Sequence, residues 1–324
     1  MLQHPGMGGP SSFDAERTKA LVELVRELRR TGYEFVTVSP ETHRRVNERA
    51  HAGGRASARS LRDVFGWSRP FARELLPPHI AGLALQARVL VEEGPQMRAL
   101  VRVSTRGEDA FAHSAYPTTG ADDVFFGPDT YRYCDLIERE GARGRARRAV
   151  DVGCGSGAGG LVAARYADRV VLGDINHRAL AFARANVALA KLEDRTEIVE
   201  SDVLQGVEGP IDLVIANPPY MADAASRAYR DGGGALGEAL AVRIARESLA
   251  RLEPGGRLVL YTGAAIVGGR DACHEALAKA CTEAGAAWTY RMLDPDVFGE
   301  EIEQNDAYAE VERIAAVALV ATAR

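Results

Sequence analysis

The stretch Ile211-Asp212-Leu213-Val214-Ile215-Ala216-Asn217-Pro218-Pro219-Tyr220 decides how this chain is read. Its first six residues are mostly apolar and β-branched, the pattern of a short buried strand. Two consecutive prolines cannot continue a ladder, so the chain must leave the sheet there. Asn217 is thereby held at the carboxyl end of a strand, where open α/β sheets place their ligands. The Asn217 side-chain oxygen and the Pro218 carbonyl make two acceptors, suited to the two hydrogens of a planar amine or amide –NH2. Tyr220 adds a flat face on which a planar group can stack. Read alone, the tetrapeptide is equally a strand that ends in a tight turn, with asparagine as turn former.

The segment upstream favours a site. Asp151-Val152-Gly153-Cys154-Gly155-Ser156-Gly157-Ala158-Gly159-Gly160 leaves one strand and enters a helix. Gly153, Gly155 and Gly157 let the backbone turn tightly and approach a ligand closely. The same glycines pass as a nicotinamide-dinucleotide fingerprint. Asp151 argues against that, because a carboxylate beside the loop repels a pyrophosphate and welcomes a cationic amino-acid tail. Asp174, followed by Ile175, ends the second strand and can accept from both hydroxyls of a ribose. Asp202, followed by Val203, ends the third and can accept from an adenine amine. Three carboxylates at consecutive strand ends suit S-adenosyl-L-methionine, which has a sulfonium, an ammonium, a ribose and an adenine but no phosphate. Asn217 borders the same ligand.

The chain has 324 residues, 46% of them hydrophobic, and a formal net charge of −5. That length points to two domains and an ordinary globular core. The charge gives no global pull towards nucleic acid. Residues 1–110 hold 17 Lys/Arg against 13 Asp/Glu, whereas the remainder is acidic. The four cysteines have no CxxC spacing and the seven histidines are scattered, so neither a structural zinc nor a disulfide framework is expected. Reduced thiols fit a cytoplasmic protein. The longest clean apolar run, residues 314–320, is too short to span a bilayer, and the start does not read as a secretory signal.

Taken in order, residues 1–13 read as a disordered tail. Residues 14–115 read as a mainly helical, winged-helix-like domain for substrate recognition or dimerisation, closed by a β-hairpin. Helices are expected over 14–30, from Ser39-Pro40 to about residue 50, over 60–65, 70–76 and to about 87. The hairpin joins residues 99–104 to 110–114. Arg44, Arg45, Arg49, Arg55, Arg59, Arg62, Arg69 and Arg73 could line a phosphate-binding face. Interspersed Glu41, Glu48, Asp63 and Glu74 make a solvated helical face the plainer alternative. Residues 116–147 are a connector and a helix. From residue 148 strands and helices alternate, which predicts a Rossmann-like, seven-stranded, mainly parallel sheet with helices on both faces.

With these motifs in hand, residues 148–324 resemble a class I S-adenosylmethionine-dependent methyltransferase of the small methyltransferase superfamily. Asn217-Pro218-Pro219-Tyr220 is similar to the signature of the amino-methyltransferases, which act on glutamine of release factors, on adenine of DNA and RNA, or on guanine exocyclic amines. The run Asp231-Gly232-Gly233-Gly234-Ala235-Leu236 is most similar to the glutamine methyltransferases. Phe126-Gly127-Pro128-Asp129-Thr130 resembles a segment that family carries just before its catalytic domain. The resemblance implies catalytic roles for Asn217, Pro218 and Tyr220. It implies substrate contacts for Phe126, Pro128, Thr130, Pro219 and Tyr220, and a protein or small-molecule methyl acceptor ahead of nucleic acid. The chain departs from that family at Tyr261-Thr262-Gly263-Ala264, which lacks an acidic residue before the glycine. Its front domain does not read as a release-factor-binding bundle, and residues 294–311 form a long acidic insert. A binding protein that keeps the cofactor pocket without turnover is the alternative from another class, and a nicotinamide oxidoreductase a third.

Overall fold

The computed structural model describes residues 13–54, 56–221, 230–234 and 236–324. The tail expected up to residue 13 therefore lies outside the described residues except for Phe13, as do Arg55 and Ala235.

The front unit starts with α1 (Ala15–Arg30), whose N-cap Asp14 accepts from the Arg17 N–H at 2.7 Å and whose apolar stripe buries Leu21, Leu24, Val25 and Leu28. Helix α2 (Pro40–Ala52) opens at Ser39, which accepts from the Thr42 N–H at 3.2 Å, with Pro40 in the first turn. Two short helices, α3 (Leu61–Phe65) and α4 (Pro78–Gln86), follow. The helix expected over 70–76 is only a 3-10 turn at Arg73–Leu75. Phe71 is instead held in an antiparallel bridge to Met97, with N–H to carbonyl distances of 2.9 and 2.8 Å. Met97 belongs to a hairpin of β1 (Leu90–Glu93) and β2 (Gln96–Ala99) that the sequence reading lacks, because four-residue strands carrying adjacent glutamates show no clean alternation. The expected hairpin is present as β3 (Val101–Arg106) and β4 (Asp109–Ser114).

Helix α5 (Pro128–Gly141) leads into the sheet. Its strands are β5 (Ala146–Val152), β6 (Ala167–Asp174), β7 (Thr196–Glu200), β8 (Ile211–Ala216), β9 (Leu252–Val267), the short β10 (Arg270–Asp271), β11 (Ala287–Asp294) and β12 (Arg313–Thr322). Helices α6 (Ala158–Ala163), α7 (His177–Ala190), α8 (Ala239–Arg251) and α9 (Ala272–Glu283) connect them, and α10 (Gly299–Gln304) lies between β11 and β12. The sheet order is β11-β12-β9-β8-β5-β6-β7, with β10 folded back on β9. Neighbours from β9 to β7 are parallel, while β12 runs antiparallel to both β9 and β11. Apolar cores cover both faces, as near-continuous apolar strands require. The chain goes outward from β5 to β7 on one side and from β8 to β9 on the other. The β5/β8 junction is thus the switch point where such sheets bind ligands.

The front unit does not own a separate core. Leu21, Leu24 and Phe65 share one cluster with Ala179, Phe182 and Ala185 on the outer face of α7. Phe13 meets Phe182 edge to face at 5.2 Å, and Arg26 donates to the Ala188 carbonyl at 3.2 Å. The front unit therefore acts as the cover that α7 needs.

Candidate active site

The glycine loop divides by what a side chain would meet. Gly153 (φ +68°) has open space where a Cβ would stand, and at Gly155 (φ +54°) the nearest atom would be 3.8 Å away. Both line a cavity of ≈ 420 Å³. A Cβ on Gly159 would come within 2.3 Å of Tyr133, and one on Gly160 within 2.0 Å of Leu172. Gly157 (φ +84°) is the residue before α6 and packs on Leu172 and Ala183. Gly153 and Gly155 therefore open to a ligand, whereas Gly157, Gly159 and Gly160 let the helix close on the sheet.

Asp151 departs from its expected place. It is 1% exposed and does not line the cavity among the described residues. One carboxylate oxygen accepts from the Tyr133 hydroxyl at 2.8 Å and the other from the Gly160 N–H at 2.7 Å. Burial pushes its carboxyl up to about 7, although both hydrogen bonds favour the charged form. Asp151 ties the start of α6 to α5, and the cationic tail it was expected to welcome has no access to it. Asp174 and Asp202 remain as the carboxylates on the cavity that would repel a pyrophosphate.

Asp174 and Asp202 both line the cavity. Asp174 accepts from the Gly155 N–H and the Asn176 N–H, each at 2.9 Å, and burial raises its pKa. Each oxygen keeps a further lone pair for a hydroxyl. Ile175, 56% exposed, adds an apolar wall beside it. Asp202 is held by Arg243 through both oxygens, at 2.8 and 2.9 Å. The following Val203 is buried with φ +53°, a left-handed conformation rare for a β-branched residue and so a mark of local constraint. Nothing in the sequence announces that strain.

Asn217, Pro218, Pro219 and Tyr220 line the same cavity from the end of β8. The Asn217 side chain makes no hydrogen bond among the described residues. Tyr220 is 7% exposed, and a Cβ on Gly263 would come within 2.1 Å of its ring. The Tyr220 hydroxyl donates to Asp129, a residue the sequence reading passed over. Asp129 also accepts from the Tyr261 hydroxyl at 2.6 Å and pairs with Arg132 at 3.1 Å. Burial beside Asp129 lifts the Tyr220 phenol well above its usual value, so it stays protonated. Of the substrate residues expected before α5, Thr130 faces the cavity, and its hydroxyl accepts from the Gly127 N–H at 3.3 Å. Phe126 does not: it is 2% exposed and stacks on His113 at 4.9 Å. Pro128 also lies off the cavity, at the start of α5. Phe125 and Asp129 take their places, one residue along.

The opposite wall comes from the front unit and the connector, through Pro40, Tyr116, Pro117 and Thr118. Open glycine backbone, two acceptor carboxylates on neighbouring strands and an unengaged amide suit a ligand rich in hydroxyl and amine donors. No cluster able to hold a metal ion is present among the described residues.

Residues 136–283 match the family model described as the methyltransferase small domain. The release factor glutamine methyltransferase of Deinococcus radiodurans is 36% identical over 146 residues, covering 41% of this chain and 51% of the relative. The ribosomal RNA small subunit methyltransferase C of Pasteurella multocida is 32% identical over 117 residues, covering 36% of this chain and 33% of the relative. The chain thus spans about half or less of the length of the curated relatives it matches. The crystal structure of M. jannaschii tRNA m1G37 methyltransferase matches over 69% of this chain and 57% of its own, at a TM-score of 0.48 and 16% identity. The small domain matched here holds the glycine loop, Asp174, Asp202 and Asn217. Pro40 and Tyr116 precede it and Phe298 follows it.

Proposed function

We propose that this chain is an S-adenosyl-L-methionine-dependent N-methyltransferase acting on a planar amide or amine nitrogen, either of a glutamine-like protein side chain or of a small molecule. The observation that carries this reading is that Asn217, its side chain free of hydrogen bonds among the described residues, shares one cavity with Asp174 and Asp202. When bound, S-adenosylmethionine supplies a methyl group on a sulfonium, open to in-line transfer to a nitrogen lone pair. Asp174 would hold the ribose hydroxyls and Asp202 the adenine amine, with Ile175 and Val203 against the ring. The Asn217 oxygen and the Pro218 carbonyl would accept the two hydrogens of the target –NH2. That would favour a pyramidal nitrogen and stabilise its developing positive charge as the S–CH3 bond breaks; S-adenosylhomocysteine would leave, and the N-methylated group would release one proton to solvent. The work is positioning and preorganised electrostatics, with little acid–base chemistry.

A protein or small-molecule acceptor is favoured over nucleic acid by the state of the front arginines. Arg44 is paired with Glu41 and Glu48, Arg45 with Glu41, Arg69 with Asp63 and Arg73 with Glu92. These pairs engage four of the eight front arginines and so reduce the positive charge that face offers to phosphates. The test is transfer of a labelled methyl group into the protein, RNA and small-molecule fractions of a lysate, by wild type and Asn217→Ala. Loss of one preorganised acceptor should cut transfer on the order of a hundred- to a thousand-fold. Calorimetric affinity for S-adenosylmethionine should be unchanged. Near wild-type transfer by the variant would overturn the reading.

A further inference from the structure

We propose that Phe298, in the insert between β11 and β12, is the aromatic wall against which the planar acceptor group lies, and so a specificity-determining residue. This rests on the N-methyl-transfer reading above.

The insert folds back over the Asn217–Tyr220 turn. Phe298 is partly exposed and lines the cavity together with Asn217 and Pro219. The segment is anchored on both sides of it. Val297 is buried and donates its N–H to the Ile314 carbonyl at 2.7 Å. Tyr308 is fully buried, with its hydroxyl 4.0 Å from the Met221 sulfur.

The Phe298 backbone sits at φ +58°, ψ +37°. A bulky aromatic residue is a genuine outlier there, and such strain persists only where the surroundings over-determine it. The next residue is Gly299, which would bear that conformation at no cost. The chain instead keeps a ring at the strained position, and that ring lies on the cavity.

Tyr220 cannot serve as the stacking face by itself. Its hydroxyl is bound to Asp129 and its ring packs closely against Gly263. The Tyr220 and Phe298 centroids are 6.2 Å apart with ring planes at 55°. Two rings this close leave no slot for a third between them, but they do make a corner. A flat conjugated group lying on Phe298 then presents its edge to Tyr220, the preferred offset and edge-to-face arrangement of π systems. Amides and heterocyclic amines share that flatness.

The strain supplies a clean variant. Phe298→Gly removes the ring and suits the left-handed backbone, and relief of that strain offsets the packing the ring loses against the core. Labelled-methyl transfer is measured against graded amounts of whichever lysate fraction the wild type labels. Thermal unfolding and calorimetric titration with S-adenosylhomocysteine are run alongside. The expected result is an acceptor KM raised about tenfold or more, the size of one lost stacking contact. The change in kcat should be smaller, S-adenosylhomocysteine affinity unchanged and Tm not lowered. Phe298→Tyr should restore KM to within about threefold of wild type. An unchanged KM in Phe298→Gly overturns the proposal and leaves the methyl-transfer reading standing. So does a fall in S-adenosylhomocysteine affinity that matches the rise in KM. A wild type that labels no fraction overturns the reading, and the proposal with it.

Discussion

Asn186 pairs through one side chain with both backbone groups of Ala112, accepting from the N–H at 2.8 Å and donating to the carbonyl at 2.9 Å. Its amide also donates to the Ser156 carbonyl at 2.8 Å. A side chain 1% exposed thus joins the edge of β4, the middle of α7 and the glycine loop. Asn186→Leu leaves three buried backbone groups without partners, at roughly 1–3 kcal/mol each. The urea midpoint should fall sharply, with a total loss on the order of 3 kcal/mol or more. Cofactor affinity should weaken as well, because Ser156 lies inside the loop. An unchanged midpoint would show that these groups find water.

Asp151 should give stability a dependence on pH. Its carboxyl is held up to about 7 by burial, against ~3.9 in an unfolded chain. Its contribution is full below about pH 4, falls as the unfolded chain ionises while the folded one keeps the proton, and levels off above about 7. Asp174 is also raised and acts in the same sense. His43, pushed down to about 4 by burial, acts oppositely, losing its contribution as pH falls from about 6.5. Asp151→Asn imitates the protonated form and removes one titration. The stability of wild type relative to this variant should decline between pH 4 and 8, on the order of 3–4 kcal/mol at ~1.4 kcal/mol per pKa unit. Denaturant melts at stepped pH measure it, and a constant difference would contradict the assignment.

The two tyrosines on Asp129 should separate stability from turnover. Tyr220→Phe and Tyr261→Phe each remove one hydrogen bond to a carboxylate, roughly 1.5–3 kcal/mol. Tyr220 lines the cavity and Tyr261 does not. Both variants should melt earlier, but only Tyr220→Phe should slow methyl transfer, by up to about tenfold. Equal effects on turnover would place Asp129 in a purely structural role.

Asp174→Ala should weaken S-adenosylmethionine binding by at least about tenfold, since charge-assisted bonds to hydroxyls are worth roughly 1.5–3 kcal/mol each. Asp202→Ala should act more mildly. Its side chain is 49% exposed and already paired with Arg243, so solvent screens what it offers. The calorimetric ratio of the two variants is the readout. A larger loss at Asp202 would reverse the roles given to the two carboxylates.

The parts legible in the sequence are those where a local signal fixes a chain end. Ser39-Pro40 announces a helix start, and Pro218-Pro219 ends β8 just past Asn217, so that residue could be placed without a structure. Asp174 closes β6, and Asp202 follows β7 closely. Asp151 was misplaced because it lies inside β5, one residue before the end. In a strand, neighbouring side chains face opposite ways, and Val152 takes the cavity side. In the connector before α5, Phe126 packs inward on His113 and leaves the cavity to Phe125. Asn186 gave no signal, and Phe298 stood out only as part of the long acidic insert. The partner of the first is 74 positions away, and the second reaches the site only because its insert crosses back over another strand end. The β1/β2 hairpin was missed because its short, charged strands show no period.

The position of β12 also bears on how the molecule is made. Strand β11 reaches the sheet only through β12, which follows it in the chain. A ribosome adding ~5–20 residues per second takes several seconds to pass from β9 to the end of β12. Throughout that interval the outer edge of β9 has its backbone groups exposed, a template for any other nascent strand. Most of the sheet and the glycine loop can be in place before the corner at Phe298 exists. On the proposed reading, the cofactor side of the cavity would thus be complete during synthesis before the corner that selects the acceptor.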